Sequence, residues 1–129
     1  GQVWEACLFA AHYKLDNFCA IVDLNGLQID GSTAEVMNTA PVDAKFAAFG
    51  FDVFSIEGHD FDQLERAFSR FHDNSGSQKP TVILMQTVKG KGVSYMEHQA
   101  GWHGKAPNDE EYAQGMQELD ALKAELEAN

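Results

Sequence analysis

Apolar residues recur at helical spacing over the first fifteen positions. Trp4, Leu8, Ala11 and Leu15 form one stripe, and Val3, Cys7 and Ala10 widen it. The spacing predicts a helix over 2–15, apolar around most of its circumference, as in helices buried among other elements. No capping residue precedes it, and a buried helix at the very start implies missing chain upstream. Asp16-Asn17 makes a turn. Residues 18–22 are a continuous apolar run, the pattern of a strand covered on both faces. Gly31-Ser32-Thr33 reads as a loop. Pro41 opens a helix over 42–49, with Phe46 and Phe49 facing the core and Gly50 as its stop.

A second strand is predicted over 52–56. Asp60 then caps a helix, with Gln63 completing a capping box and Phe61, Leu64, Ala67, Phe68 and Phe71 at helical spacing. The loop 74–77 leads to a third strand over 81–88. Strand, helix, strand, helix, strand indicates a parallel sheet with crossover helices. Residues 89–108 have four glycines, two histidines and no periodicity, and loops of that length are usually functional. Asn108 caps a last helix whose acidic start suits its N-terminal dipole. Tyr112, Met116, Leu119, Leu122 and Leu126 give that helix one apolar face. The chain ends at Asn129 just past it, which reads as a natural terminus.

Composition narrows the picture. The length of 129 residues suits one domain, and 44% hydrophobic with 22% charged residues is globular rather than disordered. A net charge of −11 opposes general binding to nucleic acid or anionic membrane, but not to one phosphorylated ligand held locally. Cys7 and Cys19 lie in apolar segments and read as buried free thiols, which suits the cytoplasm. Zinc would need more ligands at closer spacing. No apolar run is long enough to span a bilayer, and no signal-peptide pattern is visible.

The candidate chemistry centres on Asn25, in the run Asp23-Leu24-Asn25-Gly26-Leu27-Gln28-Ile29-Asp30-Gly31. It follows a strand, and parallel sheets bind ligands beyond the C-terminal ends of their strands. Its side-chain oxygen and the Leu27 carbonyl could both hold a hard cation such as magnesium. Asn-Gly between apolar runs is equally a hairpin signal. His103, in Gly101-Trp102-His103-Gly104-Lys105-Ala106-Pro107, could donate to a phosphate or polarise a hydroxyl, or be an exposed loop residue. His59 reads as a turn residue beside a helix cap, and His12 as a satisfied core or interface residue. Lys89 and Lys91 alternate with glycines but lack the full phosphate-loop motif. Asp23 and Asp30 could support a metal or simply flank a turn.

Several segments together resemble transketolase, specifically the C-terminal half of its thiamine-diphosphate-binding domain. They are Gly1-Gln2-Val3-Trp4-Glu5-Ala6, Tyr13-Lys14-Leu15-Asp16-Asn17, the Asn25 run and Gly58-His59-Asp60. Thr87-Val88-Lys89-Gly90-Lys91-Gly92 and the His103 segment complete the set, so the likeness spans essentially the whole chain. It implies a three-layer αβα fold with a mainly parallel sheet, incomplete at the N-terminus, and one partial cofactor domain over 1–129. The ending resembles the N-terminal subunit of a transketolase split over two chains.

By that resemblance Asn25 and Leu27 hold magnesium, for which calcium can substitute, against the diphosphate. Ile29 packs near the thiamine rings. His103 is both a cofactor contact and the catalytic residue beside the substrate. The Gly-Asp-Gly motif that opens the family signature would lie about thirty residues before Asn25, before Gly1. The implied partners are sugar phosphates, the upstream half of the domain, and a pyrimidine-binding subunit or domain in a homodimer or heterotetramer. The implied reaction moves a two-carbon ketol unit from a ketose phosphate to an aldose phosphate, with these 129 residues inactive by themselves. The alternative readings are a 1-deoxyxylulose-5-phosphate synthase, a non-catalytic assembly module and a two-oxoacid dehydrogenase subunit.

Overall fold

The structure is a computed structural model and describes residues 1–128. In chain order its elements are α1 (Gln2–His12), β1 (Cys19–Leu24), β2 (Leu27–Gln28), β3 (Gly31–Ser32), α2 (Thr33–Val36) and α3 (Val42–Ala48). β4 (Asp52–Glu57), α4 (Phe61–Asp73), β5 (Thr81–Gln86), a short 3-10 turn (Ala100–His103) and α5 (Asp109–Glu127) follow. They fall into two compact units. Residues 1–25 and 39–87 form the first; residues 26–38 and the described residues from 88 onward form the second.

The first unit is a parallel sheet in the order β1-β5-β4, with β5 central. Strand alternation sends side chains to two faces. On one face Val82 and Leu84 join Cys7 and Ala10 of α1 and Phe46 of α3, with Ala20, Val22 and Val53 at the margin. On the other, Ile83 packs with Phe54 and with Ala67 of α4. The result is three layers, helices on both sides of the sheet, as the strand and helix order implied. β5 is the most apolar strand because it is paired on both edges and covered on both faces; Val82 and Ile83 are fully buried.

Local chemistry sets the boundaries. α1 stops at His12, three residues short of the expected end. Lys14 takes a left-handed conformation (φ 54°), and Leu15 N–H donates to the Ala10 carbonyl while Lys14 N–H donates to Ala11. This is a Schellman stop with lysine in the usual glycine position. Leu15 still reaches the core, but from beyond the helix. α3 ends the same way with Gly50 at φ 92°, where a glycine is the unstrained choice. Asp60 caps α4 through Gln63 N–H at 3.1 Å, as expected.

Other expectations need correction. The first strand runs 19–24 rather than 18–22, and it is not covered on both faces. Ile21 is 50% exposed and is not part of the cluster that Phe54, Ala67 and Ile83 form on the α4 side, which Cys19 of the same strand does reach. Phe61 leaves the α4 stripe and is 85% exposed, in the first turn of the helix. Of the two readings of His12, core or interface, the core one is excluded: the residue is exposed, edge-on to Tyr13. The third strand ends at Gln86, so Thr87 and Val88 lie beyond it.

In the second unit, β2 and β3 pair antiparallel, Leu27 opposite Ser32 and Gln28 opposite Gly31. The turn between them is Ile29-Asp30, so the hairpin exists but Asn25-Gly26 is not its tip. Gly31-Ser32-Thr33 is not a loop: Ser32 caps α2, accepting from Glu35 N–H at 3.3 Å and donating to the Glu35 carboxylate at 2.7 Å. α5 begins with a full capping box between Asn108 and Glu111. Only part of the expected face is packed, and Gly115 joins it. Gly115 is buried against Val93 and Tyr95, and Leu119 and Leu122 approach Gly92, whereas Tyr112 and Leu126 are largely exposed.

Candidate functional site

Three chain segments leave the sheet at its C-terminal edge. β1 delivers Asp23 and then Asn25, β4 delivers Gly58 and His59, and β5 delivers Thr87. The parallel register puts them side by side, Asp23 across from Met85 and Ile56 across from Met85 on the other edge. Thr87 joins the two flanks. Its hydroxyl donates to Asp23 Oδ1 at 2.5 Å. Its methyl lies where only a glycine leaves room, since a Cβ at Gly58 would meet it at 2.6 Å. Gly58 N–H donates to the Gln86 carbonyl at 2.7 Å, carrying the ladder one step further. His59 is exposed in the turn before the α4 cap, as expected. Asp60 accepts from the Gln63 side chain and backbone, which holds its carboxyl below the usual range.

Asn25 is half-buried at this edge. Gly26 follows at φ 74° with open space where a side chain would be. The donors available are a side-chain amide oxygen at Asn25 and, two residues on, the Leu27 carbonyl. All are oxygen donors, which suits a hard cation such as magnesium rather than zinc. Among the described residues no cluster of three or more His, Cys, Asp or Glu could hold a metal. The residues present therefore fit a magnesium–diphosphate group in donor chemistry.

Asn25 belongs to the first compact unit; Leu27, Ile29 and His103 belong to the second. Within the second, Ile29 is at the hairpin tip, 64% exposed, a large apolar side chain offered to solvent. His103 ends the 3-10 turn, exposed, and its ring makes no side-chain hydrogen bond among the described residues. The segment bearing it is firmly tied. Trp102 Nε1 donates to the Tyr95 carbonyl at 3.0 Å, and the Tyr95 hydroxyl donates to the Glu111 carbonyl of α5 at 2.5 Å. Lys105 stacks over the Trp102 ring at 4.1 Å and pairs with Glu111 at 2.6 Å. Ser94 donates through both backbone and hydroxyl to Glu118, at 2.6 Å each.

These bonds hold carboxyls down: Glu111 through Lys105, Glu118 through Ser94, and Glu97 through the Gly92 N–H with help from Lys91. Lys91 is thus paired with Glu97 at 3.6 Å. Cys7 and Cys19 are free thiols, and burial pushes both up, away from reactivity. Sequence reasoning misses Thr87 and the tethering role of Trp102, Tyr95 and Glu111. Helical and strand periodicity carry no trace of bonds made across 7 to 64 positions. A glycine at 58, just past a strand, is the one signal of close approach that could have pointed to the first.

Comparison with known proteins decides the family. The family model described as transketolase, thiamine diphosphate binding domain, matches residues 1–125. The chain belongs to the transketolase family. An apulose-4-phosphate transketolase subunit of Phocaeicola vulgatus is 39% identical over 98% of this chain and 44% of its own length. The 6-deoxy-6-sulfo-D-fructose transketolase subunit SqwG of a Clostridium species is 38% identical over 93% of this chain and 43% of its own. The transketolase of Campylobacter jejuni superposes with a TM-score of 0.80 at 32% identity, covering 91% of this chain and 18% of that one. This transketolase chain therefore spans less than half the length of the two subunits it matches. Its thiamine-diphosphate-binding domain has the parallel-sheet α/β architecture of solved transketolases. Among the described residues no helix is long and apolar enough to cross a membrane.

Proposed function

We propose that this chain is part of a transketolase subunit, contributing one partial cofactor domain over 1–129 to a larger cytoplasmic assembly. Its reaction is transfer of a two-carbon ketol unit from a ketose phosphate to an aldose phosphate. The observation that carries this reading is the family match over residues 1–125, which includes Asn25, Leu27, Ile29 and His103. When bound, thiamine diphosphate supplies the nucleophilic carbon and the electron sink for carbon–carbon cleavage.

The side chains here hold and orient. The Asn25 oxygen and the Leu27 carbonyl hold Mg2+, or Ca2+ in its place, against the diphosphate. Ile29, apolar and exposed at its hairpin tip, packs beside the thiamine rings. His103 carries a proton to or from a substrate hydroxyl or donates to a phosphate oxygen, and its unengaged ring leaves it available for either. The Trp102 and Tyr95 bonds anchor the neighbouring chain that carries His103.

The partners are the remainder of the domain and a pyrimidine-binding subunit, in a homodimer or heterotetramer. The relatives that are themselves named as subunits support that division of labour. The isolated 129 residues are inactive and bind the cofactor weakly. The test is ketol transfer between a ketose phosphate and an aldose phosphate by the intact assembly. Activity should require both thiamine diphosphate and a divalent ion, and His103→Ala should lower kcat by roughly 10²-fold or more. Full activity without the cofactor would refute the reading.

A further inference from the structure

The contact that joins the two flanks of the sheet edge has no assigned role. Thr87 is the first residue beyond β5. On one side its hydroxyl donates to the Asp23 carboxylate of β1 at 2.5 Å. On the other its methyl fills the space kept open by Gly58, the first residue beyond β4. Backbone pairing fixes β1 against β5 only as far as Leu24 opposite Gln86. Asn25 is the next residue along the chain. The Asp23–Thr87 bond ties β1 to the chain leaving β5 at that end. It bridges 64 positions of sequence, so local turn chemistry does not replace it.

We propose that Thr87 is a positioning residue for Asn25: it fixes the end of β1 so that the Asn25 oxygen stays where the metal–diphosphate group needs it. The inference rests on the proposed function above. A hydroxyl donating to a carboxylate is a strong, directional bond, about twice as strong as a neutral pair. Asp23 is exposed, so water can replace the hydroxyl thermodynamically when it is removed. Water does not, however, link the Asp23 carboxylate to the chain leaving β5 in one fixed geometry. Loss of the hydroxyl therefore costs little folding stability and much orientation. Groups that orient metal ligands from one step behind show this pattern.

The test uses the intact assembly with saturating thiamine diphosphate. Magnesium is titrated, and cofactor binding is followed by calorimetry rather than by turnover. Thr87→Val keeps the β-branched shape and the methyl against Gly58 and removes only the hydroxyl. It should raise the magnesium concentration for half-maximal binding about tenfold. The melting temperature of the cofactor-free protein should not change, which a purely structural role would not allow. Thr87→Ser, with the hydroxyl restored, should return the titration to the wild-type midpoint. Equal midpoints for wild type and Thr87→Val, or no rescue by serine, would overturn this inference alone. A wild-type assembly that binds cofactor without any magnesium dependence would overturn the proposed function and this inference with it.

Discussion

Each of the two compact units owes its internal order to a different force. The first is dry: Val82, Ile83 and Leu84 of the central strand are buried, with clusters of apolar side chains on both faces. In the second, Gly115 is the one buried residue of α5 among those described, and the unit is tied by carboxylates, an indole and a tyrosine hydroxyl. Burial is non-directional and scales with area, so the sheet tolerates polar change at its rim. Hydrogen-bonded tethers are directional and individually modest, so the second unit keeps side chains in place but depends on pH and on single atoms.

The largest expected effect falls on the platform. Ile83→Ala empties a fully buried position and should cost about 2–5 kcal/mol, read as a lower denaturant midpoint of the intact protein. The next falls on the loop. Gly90 sits at φ 76°, and a Cβ there would meet the Met96 carbonyl oxygen at 2.6 Å. Gly90→Ala should cost roughly 1–3 kcal/mol and lower activity through the His103 segment. Removing a single tether by Trp102→Phe should cost about 0.5–1.5 kcal/mol, with hydrogen exchange rising in 88–108 before it rises in β5. Equal exchange increases in both units would erase the distinction.

Acid should separate the units further, through smaller steps. Glu97, Glu111 and Glu118 all titrate below their ordinary value of 4.5 in the folded chain. Their contribution is therefore complete above that value and is lost as pH falls below it. Exchange in the second unit should accelerate over that acid window while the β5 amides stay protected. The smallest effect belongs to Glu127→Gln. Its pair with Lys123, at 3.8 Å on an exposed helix end, should be worth about 0–0.5 kcal/mol by thermal melting.

Much of this is legible in the sequence. The apolar run at 82–85 has the composition of a central strand, and Asp60, Gly50 and Asn108 mark helix ends by chemistry that acts within a few residues. The Asn25 run and the His103 segment stand out through family likeness, not periodicity. The helix end at His12 escapes the pattern because Lys14 supplies a left-handed stop usually given by glycine. Ile21 escapes it because an apolar run records what a strand can bury, not which helix lies over it. The Thr87–Asp23 bond and the Trp102–Tyr95–α5 chain are beyond reach, since both join residues that only folding brings together.

The central claim is that Asn25, leaving the C-terminal end of β1, holds the metal that binds the cofactor. Calorimetry of thiamine diphosphate binding to the intact assembly, with and without magnesium, tests it most directly when wild type is set beside Asn25→Ala. The account predicts magnesium-dependent binding by wild type and an affinity at least roughly tenfold weaker in Asn25→Ala, with unchanged melting of the cofactor-free protein. Magnesium-dependent binding of equal strength in both proteins would contradict it.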